Sequence, residues 1–523
     1  MAHDVNREST QNAANSAIIM VCTMVSRILG IVKARAIATV FGATGIADVI
    51  NFTFNIPNNF RKLFAEGALS SAYIPVFTSL IAEEEGSSRK SAALLARMQA
   101  FQLLLMVPLI LLTWLWREDL IRFLSDFTDP DQIIISGELL VYFMIFLGSI
   151  SFASLYGGIL QSHGSFFTAA AAPLIFSVSV IVSVYGLSDR FGAYSMAIGV
   201  VGGGILQACV TYLRLRRYGY RMRWSFDFSS LPFRRVMRSW APVTLSALIA
   251  IVTQQVAFYF ASTLSEGTVT AFSNAIIIWQ APYGIFYSAI ATVFFPAMVS
   301  AFYGEQREDL NRLVHKGLIY IATFLIPSAI LLTTVRYETT AVLLQSGRFV
   351  LENTMETGTV LFWFALGMPL VAWYGFLQRV CFSTNRFNAA LVVSLVVSAL
   401  DIVVMAVGLN LGYGPGVLSF ANTVSFGVGA ILLWMVAHSN DVLHVSIWPL
   451  FKDLGKLVLA NTPLLVSAII YTRFSHTQWW HNGSTGKNAL MLVALYGAAG
   501  VITLISYHVL SIEFISAFTK KER

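Results

Sequence analysis

Apolar runs of about twenty or more residues recur along this chain from near Ser16 to near Ser516. Coiled as an α-helix, a run of that length crosses the roughly 30 Å hydrocarbon core of a bilayer. Fourteen candidate spans can be drawn: 16–40, 46–80, 91–115, 134–162, 167–188, 192–215 and 240–264, then 268–300, 315–335, 355–383, 388–410, 412–437, 449–472 and 487–516. Several exceed what a bilayer needs, so their helices must tilt, bend or project. The runs do not alternate apolar and polar residues, which excludes a transmembrane β-barrel. Only 12% of the 523 residues are charged, about half the share of a soluble domain, which excludes a large soluble enzyme. The expected fold is all-α: a polytopic membrane protein of about fourteen transmembrane helices.

Residues 1–15 are polar and mixed in charge, unlike a cleavable signal peptide. With the N-terminus placed inside, cytoplasmic loops and tails carry about 20 of the 34 Lys and Arg, and outer loops about seven. Eight arginines fall in "RLRRYGYRMRWSFDFSSLPFRRVMR" (214–238) alone. The positive-inside rule then puts both termini in the cytoplasm. The net charge of +7 reads as topology and contact with anionic membrane lipids, not as nucleic-acid binding. Cys22, Cys209 and Cys381 all sit in apolar spans, with no metal spacing, and read as packing residues. No cofactor is expected, and the chain is expected to act as a monomer.

The chain also looks duplicated. "GGILQSHGSFF" (157–167) resembles "YGFLQRVCFSTNRF" (374–387), placing Gly158 and Gln161 over Gly375 and Gln378 at an offset of 217. "AYIPVF" (72–77) resembles "VFFPAM" (293–298), placing Pro75 over Pro296 at an offset of 221. Two pseudo-symmetric six-helix lobes in the same order are the arrangement of transporters whose halves rock about a site near the midplane. The expected organisation is a first lobe at 1–215, a basic cytoplasmic linker at 216–239 and a second lobe at 240–440. Two further helices and a basic tail then occupy 441–523.

Charges inside such spans are costly, about 2.5–3.5 kcal/mol each at a lipid-facing centre, and mark a protein-lined or wet interior. The first half holds Arg27, Lys33, Arg35, Arg61 and Lys62 against Asp48 and Glu66. The second offers Gln254, Gln255, Asn274 and Gln280 at depth, with Arg379 its one deep cation. A cationic, asymmetric central chamber follows. Some of these cations can instead be struts paired with Asp48 or Glu66, and Lys62 and Glu66 have the i,i+4 spacing for it. Five cations exceed two carboxylates, so the surplus requires an anionic ligand or water, and Arg suits bidentate phosphate contact. At 100° per residue, Lys33 and Arg35 point about 200° apart, so either one faces a neighbouring helix or Gly30 bends the segment. Asp401, the most isolated intramembrane acid, is either a coupling-ion site or a carboxylate paired with Arg379 or capped by hydroxyls.

"SRILGIVKARAIATVFGATGIAD" (26–48) and "IPNNFRKLFAEGALSSAYIPVF" (56–77) resemble the MurJ/MviN family of lipid II flippases. "GGILQSHGSFFTAAAAP" (157–173) and "LQRVCFSTNRF" (377–387) add to the match. This family lies in the superfamily of multidrug, oligosaccharidyl-lipid and polysaccharide exporters. The resemblance implies fourteen helices, the last two leading a hydrophobic groove into the chamber. It implies transport of the undecaprenyl-pyrophosphate-linked peptidoglycan precursor from inner to outer leaflet. It assigns Arg27, Lys33, Asp48, Arg61 and Glu66 to the family's functional charges, with Lys33 and Arg61 on the pyrophosphate. The family's helix-eight Asp-Arg pair falls on Ile276 and Ile277 here, and its helix-one acid on Ala34; Arg35 or Arg379 would compensate. Rival readings are a flippase for another prenyl-pyrophosphate glycan of O-antigen type and a multidrug-type exporter, which would want carboxylates where this chain has cations. An integral membrane enzyme would need clustered carboxylates or a histidine set, and the eight histidines are scattered. No catalytic residue or metal ligand is expected.

Overall fold

A computed structural model describes residues 2–64, 68–83, 89–438, 447–475, 480 and 485–512. The described residues contain no strand; one isolated bridge joins Ser346 to Phe349. By packing, the chain divides into two compact units, Met1–Thr270 and Ala271–Arg523.

In the first unit run α1 (Ala2–Phe41), α2 (Gly45–Phe64), α3 (Ala68–Glu83), α4 (Arg89–Leu115), α5 (Arg117–Leu124), α6 (Pro130–Ser162), α7 (Phe166–Phe191), α8 (Tyr194–Arg216) and α9 (Leu231–Ser262). α6 starts where Asp129 accepts a hydrogen bond from the Asp131 amide at 3.1 Å and Pro130 supplies a pre-set first residue. Its long apolar length packs against α2, α4 and α8, while α1 lies along α7. Tyr73, Phe77, Met98, Leu155, Ile159 and Val236 form the core that joins α3, α4 and α6 to the start of α9. Gly158 is part of that joint. A Cβ there would lie 2.3 Å from the Tyr73 hydroxyl, which donates to the Ser154 carbonyl at 2.7 Å.

The second unit holds most of α10 (Thr268–Tyr303), then α11 (Arg307–Thr334), α12 (Arg336–Leu344), α13 (Leu351–Ser383), α14 (Phe387–Asn410), α15 (Gly416–His438), α16 (Ile447–Phe474) and α17 (Thr485–Val509). α13 packs on α11, α14 and α15, and α16 on α11 and α17. The repeated glycine has the same use here: a Cβ on Gly375 would meet the Tyr287 hydroxyl at 2.5 Å.

Eleven of the described helices are long and apolar enough to cross a membrane. α2 is not among them, because Asp48, Arg61 and Lys62 lie in its twenty residues. Within the expected span 46–80, residues 46–64 and 68–80 are helical, in α2 and the first part of α3, and short α5 and α12 lie between the long helices. Packing places the boundary between the units after α9, which packs on α2, α3 and α4.

Candidate functional site

The candidate site is built on α1, α2, α7 and α9, within the first unit. α1 is helical without interruption through Gly30, where an added Cβ would meet open space. The Lys33 ammonium lies 5.0 Å from the ring centroid of Phe54 on α2 and 5.1 Å from that of Phe176 on α7. The two rings stack at 6.2 Å, and Phe146 of α6 stacks on Phe176 at 4.8 Å. Among the described residues Lys33 makes no hydrogen bond or ion pair. Its electrostatic neighbour is another cation, Arg61. Arg61 follows Phe54 by seven residues and so returns to the same face of α2. Arg27 and Arg35 are half-buried on α1.

One face over, Asn55, Asn59 and Lys62 recur at helical spacing. Lys62 donates to the Asn59 side-chain oxygen at 3.0 Å and to that of Gln254 on α9 at 3.3 Å. Gln254 donates to the Asn55 oxygen at 3.4 Å. These bonds use up acceptors and leave donors: the Asn55, Asn59 and Gln255 amide nitrogens are buried with no hydrogen-bond partner. Buried polar groups are nearly always satisfied. This cluster is short of acceptors.

Asp48, the described carboxylate on α2, is committed elsewhere. Buried, it accepts from the Gly267 amide at 2.7 Å, the Thr270 amide at 2.8 Å and the Thr270 hydroxyl at 2.7 Å. In return the Gly45 amide, at the start of α2, donates to the Glu266 carboxylate. Asp48 thus sits at the amide-rich start of α10, and Glu266, in the turn before α10, at that of α2, where negative charge is favourable. Gly267, with φ +94°, is required there, since a Cβ would lie 2.8 Å from the Ala43 carbonyl oxygen. Glu66 lies outside the described residues.

In the second unit, Arg379 lies 5.8 Å from both the Tyr287 and Phe295 rings. Gln280 is exposed, and the buried Asn274 amide nitrogen has no hydrogen-bond partner. Asp401 is 4% exposed, and one of its carboxylate oxygens has no hydrogen-bond partner. Among the described residues it forms no ion pair with Arg379.

Each unit also holds a cavity. One of about 240 Å³, within the first unit, is lined by Ser70, Tyr73, Ser154, Gln161, Gln207 and Thr211 among others. The Gln207 side-chain oxygen is buried there without a partner. The other, an apolar cleft of about 110 Å³ in the second unit, is lined by Leu331, Leu464, Tyr471, Leu495 and Ile502 of α11, α16 and α17. The Tyr507 hydroxyl pins those three helices, accepting from Asn461 at 3.0 Å and donating to the Thr323 carbonyl at 2.8 Å.

Sequence reasoning found the cations and missed their surroundings. Phe54 and Phe176 are indistinguishable from core residues in the sequence, although the seven-residue step from Phe54 to Arg61 was a usable signal. Gln207, a lone amide in the glycine-rich apolar α8, was another.

The family model described as "Lipid II flippase MurJ" matches residues 37–491. A probable lipid II flippase MurJ of Borreliella burgdorferi is 30% identical over 508 residues, 97% of this chain and 98% of that one. One of Rhizobium tropici is 25% identical, covering 95% of this chain and 92% of its own. Among solved structures, a lipid II flippase MurJ in an inward closed conformation aligns over 96% of this chain and 100% of that one, with a TM-score of 0.77 at 20% identity. An inward-facing multidrug-resistance transporter of the MATE family aligns over 82% of this chain and 96% of that one, with a TM-score of 0.65 at 14% identity.

Proposed function

The chain belongs to the lipid II flippase MurJ family, and from that membership we propose that it carries lipid II across the bacterial inner membrane, from inner to outer leaflet. The observation that carries the mechanism is the surplus of donors on α1, α2 and α9. Lys33 rests on two phenyl faces, and the Asn55, Asn59 and Gln255 amide nitrogens lack acceptors. A pyrophosphate supplies what is missing: several anionic oxygens, each able to accept more than one hydrogen bond.

Arg61 grips phosphate oxygens through its planar fork, and Lys33 acts as a point charge steered by its aromatic seat. Arg27, Arg35 and Lys62 extend the positive field along the two helices. Asp48 takes no part in gripping the anion. It fixes the start of α2, and with it the direction in which Arg61 and Lys62 leave the helix. Within the second unit, the apolar cleft of α11, α16 and α17 is the surface suited to an apolar chain such as the prenyl tail. Transport follows when the cationic site is exposed first to one side of the membrane and then to the other. Asp401, with its unsatisfied oxygen, is the coupling-ion site of this reading.

The test is growth of cells depleted of their own lipid II flippase. The unsubstituted chain restores growth, and Arg61→Ala, expressed to the same level, does not. Failure of the well-expressed unsubstituted chain would remove lipid II as the cargo.

A further inference from the structure

The basic segment between α8 and α9 is not a loose linker. Tyr220 shares a hydrogen bond of 3.0 Å with His163 and donates to the Ser91 hydroxyl at 3.1 Å. The Met222 amide donates to the Tyr212 hydroxyl at 3.0 Å, and the Ser225 amide to the Ala96 carbonyl at 3.2 Å. Asp227, the one acid of residues 214–238, is bound to Arg97 at 3.0 Å. These ties hold the segment across the ends of α4, α6 and α8.

Held in this way, the segment roofs a second kind of cavity. A cleft of about 220 Å³ is lined by Phe152 and Tyr156 of α6, Ala208, Cys209 and Tyr212 of α8, and Trp224 from the segment. The Trp224 ring stands edge-on to Phe152 at 6.2 Å. The cleft is several times one water's share of liquid volume, about 30 Å³, yet its walls offer water few partners. Its α8 wall carries exposed Ile205 and Cys209, on the apolar stretch that qualifies as a membrane span, so the cleft is reached from the hydrocarbon side.

Above the cleft the chemistry changes sign. Arg216 follows Cys209 by seven residues and Tyr212 by four, so it continues the same face of α8 at the helix end. Arg221 and Arg223 flank Met222, which also lines the cleft. All three arginines are exposed. With Asp227 bound to Arg97, no acid of the segment is left to balance them. An apolar slot opening to the hydrocarbon beneath a rim of arginines matches one molecule, with a fatty chain below and an anion above.

We propose that this cleft is a binding site for an anionic phospholipid of the leaflet that bathes residues 214–238. The acyl chain lies between Phe152, Cys209 and Trp224, and the phosphate and headgroup lie on Arg216, Arg221 and Arg223. The site stands apart from the cation cluster of α1 and α2, and it does not depend on which lipid-linked cargo the chain carries.

The experiment uses the full chain in lipid nanodiscs containing, at equal low mole fraction, either phosphatidylglycerol or phosphatidylcholine brominated on an acyl chain. Quenching of Trp224 emission, isolated by subtracting the Trp224→Phe variant, reads occupancy of the slot. Brominated phosphatidylglycerol quenches Trp224 at a lower mole fraction than brominated phosphatidylcholine. Each of Arg216→Gln, Arg221→Gln and Arg223→Gln lowers that preference about fivefold. Cys209→Phe, which puts a ring into the slot, abolishes quenching by both lipids while leaving the arginines in place. Equal quenching by the two lipids, a preference undiminished when all three arginines are replaced, or full quenching in Cys209→Phe would each overturn the site.

Discussion

At Lys33 the ammonium lies 5.0 Å from one phenyl centroid and 5.1 Å from a second. Each such contact is worth about 0.5–2 kcal/mol according to how dry it is. That suffices to hold the side chain in place without neutralising it, so the charge stays available to an anion. Lys33→Met keeps length and apolar packing and removes only the charge. It is expected to lower transport of a pyrophosphate-linked lipid about ten- to a hundredfold, the loss of one charge-assisted hydrogen bond. Lys33→Arg retains most of the activity, as a flux assay in proteoliposomes can show. The cations themselves were legible in the sequence, because a charge in an apolar run has no ordinary reason to be there. The rings beneath Lys33 were not, since a phenylalanine carries no mark that separates a cation's seat from core. Nor was the role of Asp48, whose partners lie some 220 residues away.

Among the elements, the two ends tied by Asp48 make a specific demand. Asp48→Ala strips three hydrogen bonds from Gly267 and Thr270 and leaves buried amides without acceptors. It is expected to cost about 2–3 kcal/mol of stability in thermal unfolding, with Asp48→Asn costing less because Asn also caps helices. Gly158→Ala places a methyl group against a fully buried tyrosine held by its own hydrogen bond. About 1–3 kcal/mol of overpacking is expected there, and the same at Gly375, against Tyr287. In each unit a glycine, in "GGILQ" and in "YGFLQ", admits a tyrosine from another helix. Helix positions were legible because an apolar run of this length has few alternatives. The segment between α8 and α9 carries a pH dependence. The Ser229 hydroxyl, and after it the Arg97 guanidinium, hold the Asp227 carboxyl at about 2. Its folded value lies below the usual carboxylate value of about 4. The tether is therefore complete above about pH 4 and is lost as pH falls toward 2. Trp224 emission, followed by acid titration against Trp224→Phe, is expected to stay constant at neutral pH and to change only in that acid window.

For the whole molecule, family membership accounts for the run of long helices. The charge of this chain is unevenly placed. The first unit carries the cation cluster and the unmatched amides on α1, α2 and α9, and Ile276 and Ile277 stand where the family resemblance expects a second acidic–basic pair. The proposed function therefore gives the grip on the anion to the first unit. Binding of a prenyl-pyrophosphate lipid to the purified full chain, against the matching prenyl monophosphate, is the most direct test of that assignment. The unsubstituted chain is expected to prefer the pyrophosphate by about tenfold or more, and Lys33→Met and Arg61→Gln each to erase most of that preference. Variants that bind the pyrophosphate lipid as tightly and as selectively as the unsubstituted chain would contradict it.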